Sequence, residues 1–131
     1  MLNTAAILII EDDEDSLLVT QRLLQLAGVT QIASFRSGAE ALAGLKGSVN
    51  LVLLDVQLRH EDGRMLAQKL RQHERLASAT LVALTANVLP EEVQQIREAG
   101  FDGLIGKPLS FEHFAEQLQQ LLDGQAVWQT R

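Results

Sequence analysis

The chain has 131 residues, of which 47% are hydrophobic, and it carries a formal net charge of -6 with no cysteine. That size and apolar content suit one compact domain and argue against a disordered chain. The absence of cysteine excludes disulfides, thiolate metal centres and cysteine nucleophiles, and the negative charge is wrong for wrapping a phosphate backbone but suits a cation or a partner with a basic surface. The start, MLNTAAILIIEDD, has no basic segment before its short apolar run and does not read as a signal peptide. No apolar stretch approaches the ~20 residues of a membrane span, so a soluble, cytoplasmic protein is expected.

Apolar runs alternate with helical patterns along the chain. Ile7 to Ile10 is a short continuous apolar run that ends in Glu11, Asp12 and Asp13. Such a run predicts a strand buried on both faces, as in a parallel sheet. Leu17, Thr20, Leu24 and Ala27 share one helical face, and Gly28 supplies a stop. A weaker strand follows from Gln31 to Phe35. Ser37 and Glu40 form a capping box ahead of Ala41, Leu42 and Leu45. Leu51 to Leu54 is the third strand and ends in Asp55, after which Asp62-Gly63 opens a helix carrying Leu66 and Leu70. Leu81 to Leu84 leads into Thr85, and Pro90 with Glu91 and Glu92 makes a good first helical turn, closed by Ala99-Gly100. Gly103 to Ile105 is a weak fifth strand before Lys107-Pro108. Phe111, Phe114, Ala115, Leu118, Leu121 and Leu122 then form one apolar helical stripe. The core is expected over residues 5–122 of a single domain spanning 1–131, with a tail over 123–131 in which Trp128, the only tryptophan, is a candidate to dock on the body.

Strict alternation of strand and helix predicts a five-stranded parallel α/β sheet, doubly wound, in the common order 2-1-3-4-5. In that order the ends of strands 1 and 3 are neighbours, so Glu11, Asp12 and Asp13 meet Asp55 in one crevice. Unpaired carboxylates repel there, and a hard divalent cation such as Mg2+ removes the conflict. The same acids equally suit strand ends and helix caps, Asp13 or Asp15 above all, so the cluster alone leaves both readings open. Thr85 at the end of strand 4 and Lys107 at the end of strand 5 shift the balance. A hydroxyl and an ammonium beside carboxylates suit a phosphoryl group.

These residues resemble the receiver domain of two-component response regulators over roughly residues 5 to 122, a flavodoxin-like fold. IIEDD is similar to the family's acidic pair at Glu11 and Asp12, LVLLDVQL to its phosphoacceptor strand at Asp55, and LTAN and GKPLS to its threonine and lysine at Thr85 and Lys107. The resemblance implies that Asp55 attacks the phosphorus of a phosphohistidine on a sensor histidine kinase or phosphotransfer protein. It implies that Asp12, Asp55 and the backbone carbonyl of Gln57 ligate Mg2+, with Glu11 acting through metal-bound water. Lys107 then pairs with the phosphoryl oxygens, and Thr85 bonds the phosphoryl group and moves on activation. Gln57 and Asn87 flank the attacking water and tune the signal's lifetime. A cis Lys107-Pro108 bond is expected. The chain is then a signalling domain that assists its own phosphorylation and dephosphorylation and is not an enzyme. It does not bind nucleic acid or membrane directly, its downstream partner is a protein, and a second copy paired on phosphorylation is a further candidate. The ending LLDGQAVW resembles some single-domain receivers, so a stand-alone chain is expected.

Three departures from the family bear on mechanism. Arg59 stands where proline is usual, so the loop RHEDG is read as more mobile or as a recognition element. Leu104 stands at the switch position in place of an aromatic ring, and Phe101 replaces a small residue as core filling. His60, His73 and His113 share no spacing and read as surface groups. Rival readings are a hydrolase of the haloacid-dehalogenase type with Asp13 as nucleophile and Asp15 as its partner acid, a receiver-like module that never accepts phosphate, and a nucleotide binder. The first calls for a longer chain and a cap; the second meets an intact Asp12, Asp55, Thr85 and Lys107; the third lacks a glycine-rich loop after strand 1.

Overall fold

A computed structural model describes residues 2–129, the Gln129 side chain excepted. Met1, and Thr130 and Arg131 of the expected tail, lie outside the described residues. After a 3-10 turn at Leu2–Thr4 the elements run β1 (Ala6–Ile10), α1 (Glu14–Leu26), β2 (Gln31–Phe35), α2 (Gly38–Gly44), β3 (Leu51–Asp55), α3 (Gly63–Gln72), β4 (Thr80–Thr85), α4 (Pro90–Glu98), β5 (Gly103–Gly106), α5 (Phe114–Leu122) and β6 (Trp128–Gln129). The sheet order is β2-β1-β3-β4-β5-β6, all parallel. The five predicted strands thus stand in the predicted order, and the tail adds a sixth, with Trp128 opposite Leu104.

Strand residues alternate between two cores, one on each face of the sheet. Leu8, Ile10, Val52, Leu54 and Ala83 join Ala41, Leu66, Leu70 and Ile96 of α2, α3 and α4. Ile7, Ile9, Leu51, Leu53 and Val82 join Leu24, Phe114, Leu118 and Leu121 of α1 and α5. α1, α2 and α3 are held at their starts by the residues that the sequence nominates. Asp13 caps α1 through the Ser16 N–H at 2.9 Å, Ser37 caps α2 through Glu40, and Asp62 caps α3 through Arg64. Gly28 follows α1 at φ 99°, a left-handed conformation that favours glycine.

One part of the last helix differs from expectation. Phe111 is not on the apolar stripe: α5 begins at Phe114, and Phe111 is 72% exposed. Ser110 takes the chain through a turn first, its hydroxyl accepting from the His113 N–H at 3.2 Å and its carbonyl from the Phe114 N–H at 3.0 Å. Phe101 is buried in the core as expected.

Candidate functional site

Parallel register carries the chemical groups to one edge. Ile10 lies opposite Leu54, which brings Glu11, the next residue, level with Asp55. Asp55 lies opposite Leu84 and Thr85 opposite Gly106, so β4 and β5 deliver Thr85 and Lys107 beside it. The Lys107 N–H donates to the Thr85 carbonyl at 2.7 Å, fixing the two ends together. The Lys107-Pro108 peptide is cis.

Carboxylate oxygens of Glu11, Asp12 and Asp55 lie within 4.8 Å of one another. Glu11 and Asp55 are almost wholly buried, at 1% and 5% exposure. Lys107 Nζ sits 2.9 Å from Glu11 Oε1 and 3.5 Å from Asp55 Oδ2. Backbone donors hold three further oxygens: Gln57 N–H to Asp55 Oδ1 at 2.8 Å, Arg59 N–H to Asp12 Oδ2 at 2.7 Å and Asp13 N–H to Glu11 Oε2 at 3.3 Å. Burial, together with the neighbouring Asp55, pushes the Glu11 carboxyl up to about 7 against the pull of Lys107. Burial works against the Lys107 ammonium too, but its contacts with Glu11 and Asp55 outweigh that and hold its pKa above the usual lysine value. Three carboxylates against one ammonium leave two negative charges in excess when all are ionised. All the converging donors are hard oxygens. This set fits a hard divalent cation such as Mg2+.

Thr85 is fully buried, and its hydroxyl is engaged in its own turn, accepting from the Asn87 N–H at 3.0 Å. Asn87 Oδ1 in turn accepts from the Leu89 N–H at 3.3 Å, next to the start of α4. Leu104 is fully buried in the core, where Val88 and Trp128 pack against the same cluster. The Arg97 guanidinium lies 4.0 Å from the Trp128 ring centroid, so α4 and β6 are clasped together.

The loop after β3 is tied down by groups that the sequence does not reveal. Glu61 Oε1 accepts from the Gly38 N–H at 2.7 Å, a contact that a side chain at Gly38 would obstruct, since its Cβ would fall 2.9 Å from Glu61 Oε2. Residue type alone gives no signal for that bond or for the one from Arg59 to Asp12. Among the histidines, His60 and His113 are exposed and His73 is half-buried, its ring nitrogen accepting from the Arg75 N–H. Asp13 is committed to capping α1, and the Ser16 N–H holds its carboxyl below the usual aspartate range. That leaves it poorly placed as a nucleophile. A cleft of about 550 Å³ opens at the opposite edge of the sheet, but Arg71 and Asp102 in its wall are paired with each other.

Comparison with known proteins places this arrangement. The model of the response regulator receiver domain matches residues 7–119. The chain is 30% identical to the polar-differentiation response regulator DivK of Brucella ovis, over 91% of this chain and 97% of that one. The chain belongs to the receiver-domain family. Phosphorylation switching in two-component signalling is the function of that family. The fold of this receiver is similar to that of the chemotaxis response regulator CheY4 of Vibrio cholerae, with a TM-score of 0.79 and 24% identity over 89% of this chain and 98% of that one. It is also similar to the receiver domain of the sensor histidine kinase PA1611 of Pseudomonas aeruginosa, with a TM-score of 0.80 and 23% identity over 91% and 98%. The latter structure has a magnesium ion coordinated in its active-site cleft. No described helix of this receiver is long and apolar enough to cross a membrane.

Proposed function

We propose that this receiver accepts a phosphoryl group on Asp55 from a phosphohistidine of a sensor histidine kinase or a histidine phosphotransfer protein. The observation that carries the reading is the convergence of Glu11, Asp12, Asp55 and Lys107 at one sheet edge, with Lys107 Nζ 3.5 Å from Asp55 Oδ2. An Asp55 oxygen attacks the phosphorus. The bond from phosphorus to the donor's imidazole nitrogen breaks, and its electron pair stays on that nitrogen. Lys107 pairs with the transferred oxygens. Asp12, Asp55 and the Gln57 carbonyl are the groups to hold Mg2+, with Glu11 reaching it through water. When bound, the ion supplies positive charge that offsets the carboxylates and the phosphoryl oxygens.

Thr85 exchanges its bond to the Asn87 N–H for one to the phosphoryl group, and Leu104 repacks behind it. The changed surface then lies along Asn87 to Glu92 and Leu104 to Ser110. Gln57 and Asn87 flank the water that ends the signal. The domain assists its own phosphorylation and dephosphorylation but acts on no separate substrate. Residues 5–122 serve as the switch, with β6 (Trp128–Gln129) of the tail added to its edge, and the protein works in the cytoplasm through protein partners. A net charge of -6 disfavours direct nucleic-acid binding, and a second copy is a partner of the phosphorylated form. The test is intact-mass measurement after treatment with acetyl phosphate and Mg2+. One added phosphoryl group on the wild type, and none on Asp55→Asn or in the presence of chelator, is expected. Equal labelling of Asp55→Asn at another aspartate overturns the reading.

A further inference from the structure

Asp12 joins the carboxylate cluster with one of its two oxygens already held. Its Oδ2 accepts from the Arg59 backbone N–H at 2.7 Å, a bond between segments 47 residues apart. The donor is itself fixed on both sides. Before it, the Gln57 N–H is bonded to Asp55 and Leu58 is buried in the core. After it, Glu61 is bonded to the start of α2, and Asp62 caps α3. The Arg59 peptide is therefore anchored to β3, α2 and α3 together, and Asp12 is bonded to that anchor.

A carboxylate has lone pairs on both oxygens. A charge-assisted bond from a fixed peptide to one oxygen sets the rotation of the group and leaves the other to a cation. We propose that the Arg59 backbone N–H is a positioning group for the cation site, fixing the Asp12 carboxylate so that its second oxygen faces Glu11 and Asp55. The role belongs to the peptide nitrogen and not to the guanidinium. Any residue with a backbone N–H at position 59 performs it, and proline, which has none, does not. The inference rests on the reading of Asp12 as a metal ligand.

The test is calorimetric titration of Mg2+ into the wild type, Arg59→Ala and Arg59→Pro. Arg59→Ala keeps the N–H and should bind within about twofold of the wild type. Arg59→Pro should bind about tenfold more weakly, the low end of the loss seen when a group that orients a metal ligand is removed. Proline also restricts Leu58, so a second protein carries lactic acid at position 59, replacing the N–H by an ester oxygen without locking φ. It should show the same tenfold loss relative to Arg59→Ala. In the metal-free wild type, the Arg59 amide proton should resonate downfield and exchange slowly, and Asp12→Ala should abolish both. Equal affinity of the folded ester protein and Arg59→Ala overturns the inference, as does a loss in Arg59→Ala as large as that in Arg59→Pro. If the wild type itself takes up no Mg2+ while the Arg59 amide stays downfield and protected, the cation site fails and the inference falls with it.

Discussion

Replacing Lys107 by methionine keeps an unbranched apolar stem and removes the ammonium that lies between two buried carboxylates. Nζ sits 2.9 Å from Glu11 and 3.5 Å from Asp55, whose side chains are 1% and 8% exposed. Removing one partner of a fully buried ion pair costs about 3–5 kcal/mol, because the charge left behind is uncompensated. Here the lower end applies. The Lys107 side chain is 21% exposed, so water can follow it out, and Asp13 and Gln57 N–H groups still serve the acids. A loss of about 3 kcal/mol lowers the melting temperature of a domain this size by roughly 10 °C. The assay is thermal unfolding followed by circular dichroism, with chelator present. Adding Mg2+ at ten times its dissociation constant should return about 1.4 kcal/mol, or roughly half the deficit, by mass action. A melting temperature unchanged or raised in chelator would refute the claim that Lys107 compensates the charge of these buried acids.

Asp62→Ala should cost about 1 kcal/mol at pH 7 through loss of the α3 cap. The Arg64 N–H lowers the Asp62 pKa in the folded state, so the charged cap stabilises above the ordinary value of 3.8, and that contribution is lost as pH falls through the lower folded value. Urea midpoints of wild type and variant should therefore converge in acid; a constant gap would show that the cap does not depend on charge. Arg97→Ala should shift the emission of Trp128 and cost about 1 kcal/mol through the lost ring contact, whereas wild-type emission typical of solvated indole would show that β6 does not dock. Exchanging Gln57 or Asn87 for residues of another size or charge should change the decay rate of the phosphorylated protein with little change in melting temperature, and unchanged decay in both variants removes them from the path of the water.

The fold was legible where burial is complete. β1, β3 and β4 are covered on both faces, so their sequences are continuous apolar runs with no competing pattern. β2 read more weakly because it is the half-buried edge. β5 has only four residues, two of them glycine. β6 left no pattern at all: two residues have no period, and only the lone tryptophan marked the tail. The convergence of the acids, Thr85 and Lys107 was legible because each stands at or just after the end of an apolar strand, where the change to a polar residue is sharp. What stayed hidden is carried by the backbone. The Arg59 N–H that holds Asp12 is present in every residue but proline, so nothing in the sequence singles it out. Phe111 misled because helical spacing continued past the point where the Ser110 turn breaks the helix.

The central claim is that Asp55 carries the phosphoryl group. An acyl phosphate on aspartate is reduced by borohydride to homoserine, which marks the modified position permanently. The wild type should be treated with acetyl phosphate and Mg2+, reduced with borohydride, digested and sequenced by tandem mass spectrometry. Homoserine at position 55, with Asp12 and Asp13 intact, is the predicted result. Homoserine at position 13 with Asp55 intact would contradict it and move the nucleophile from β3 to the end of β1.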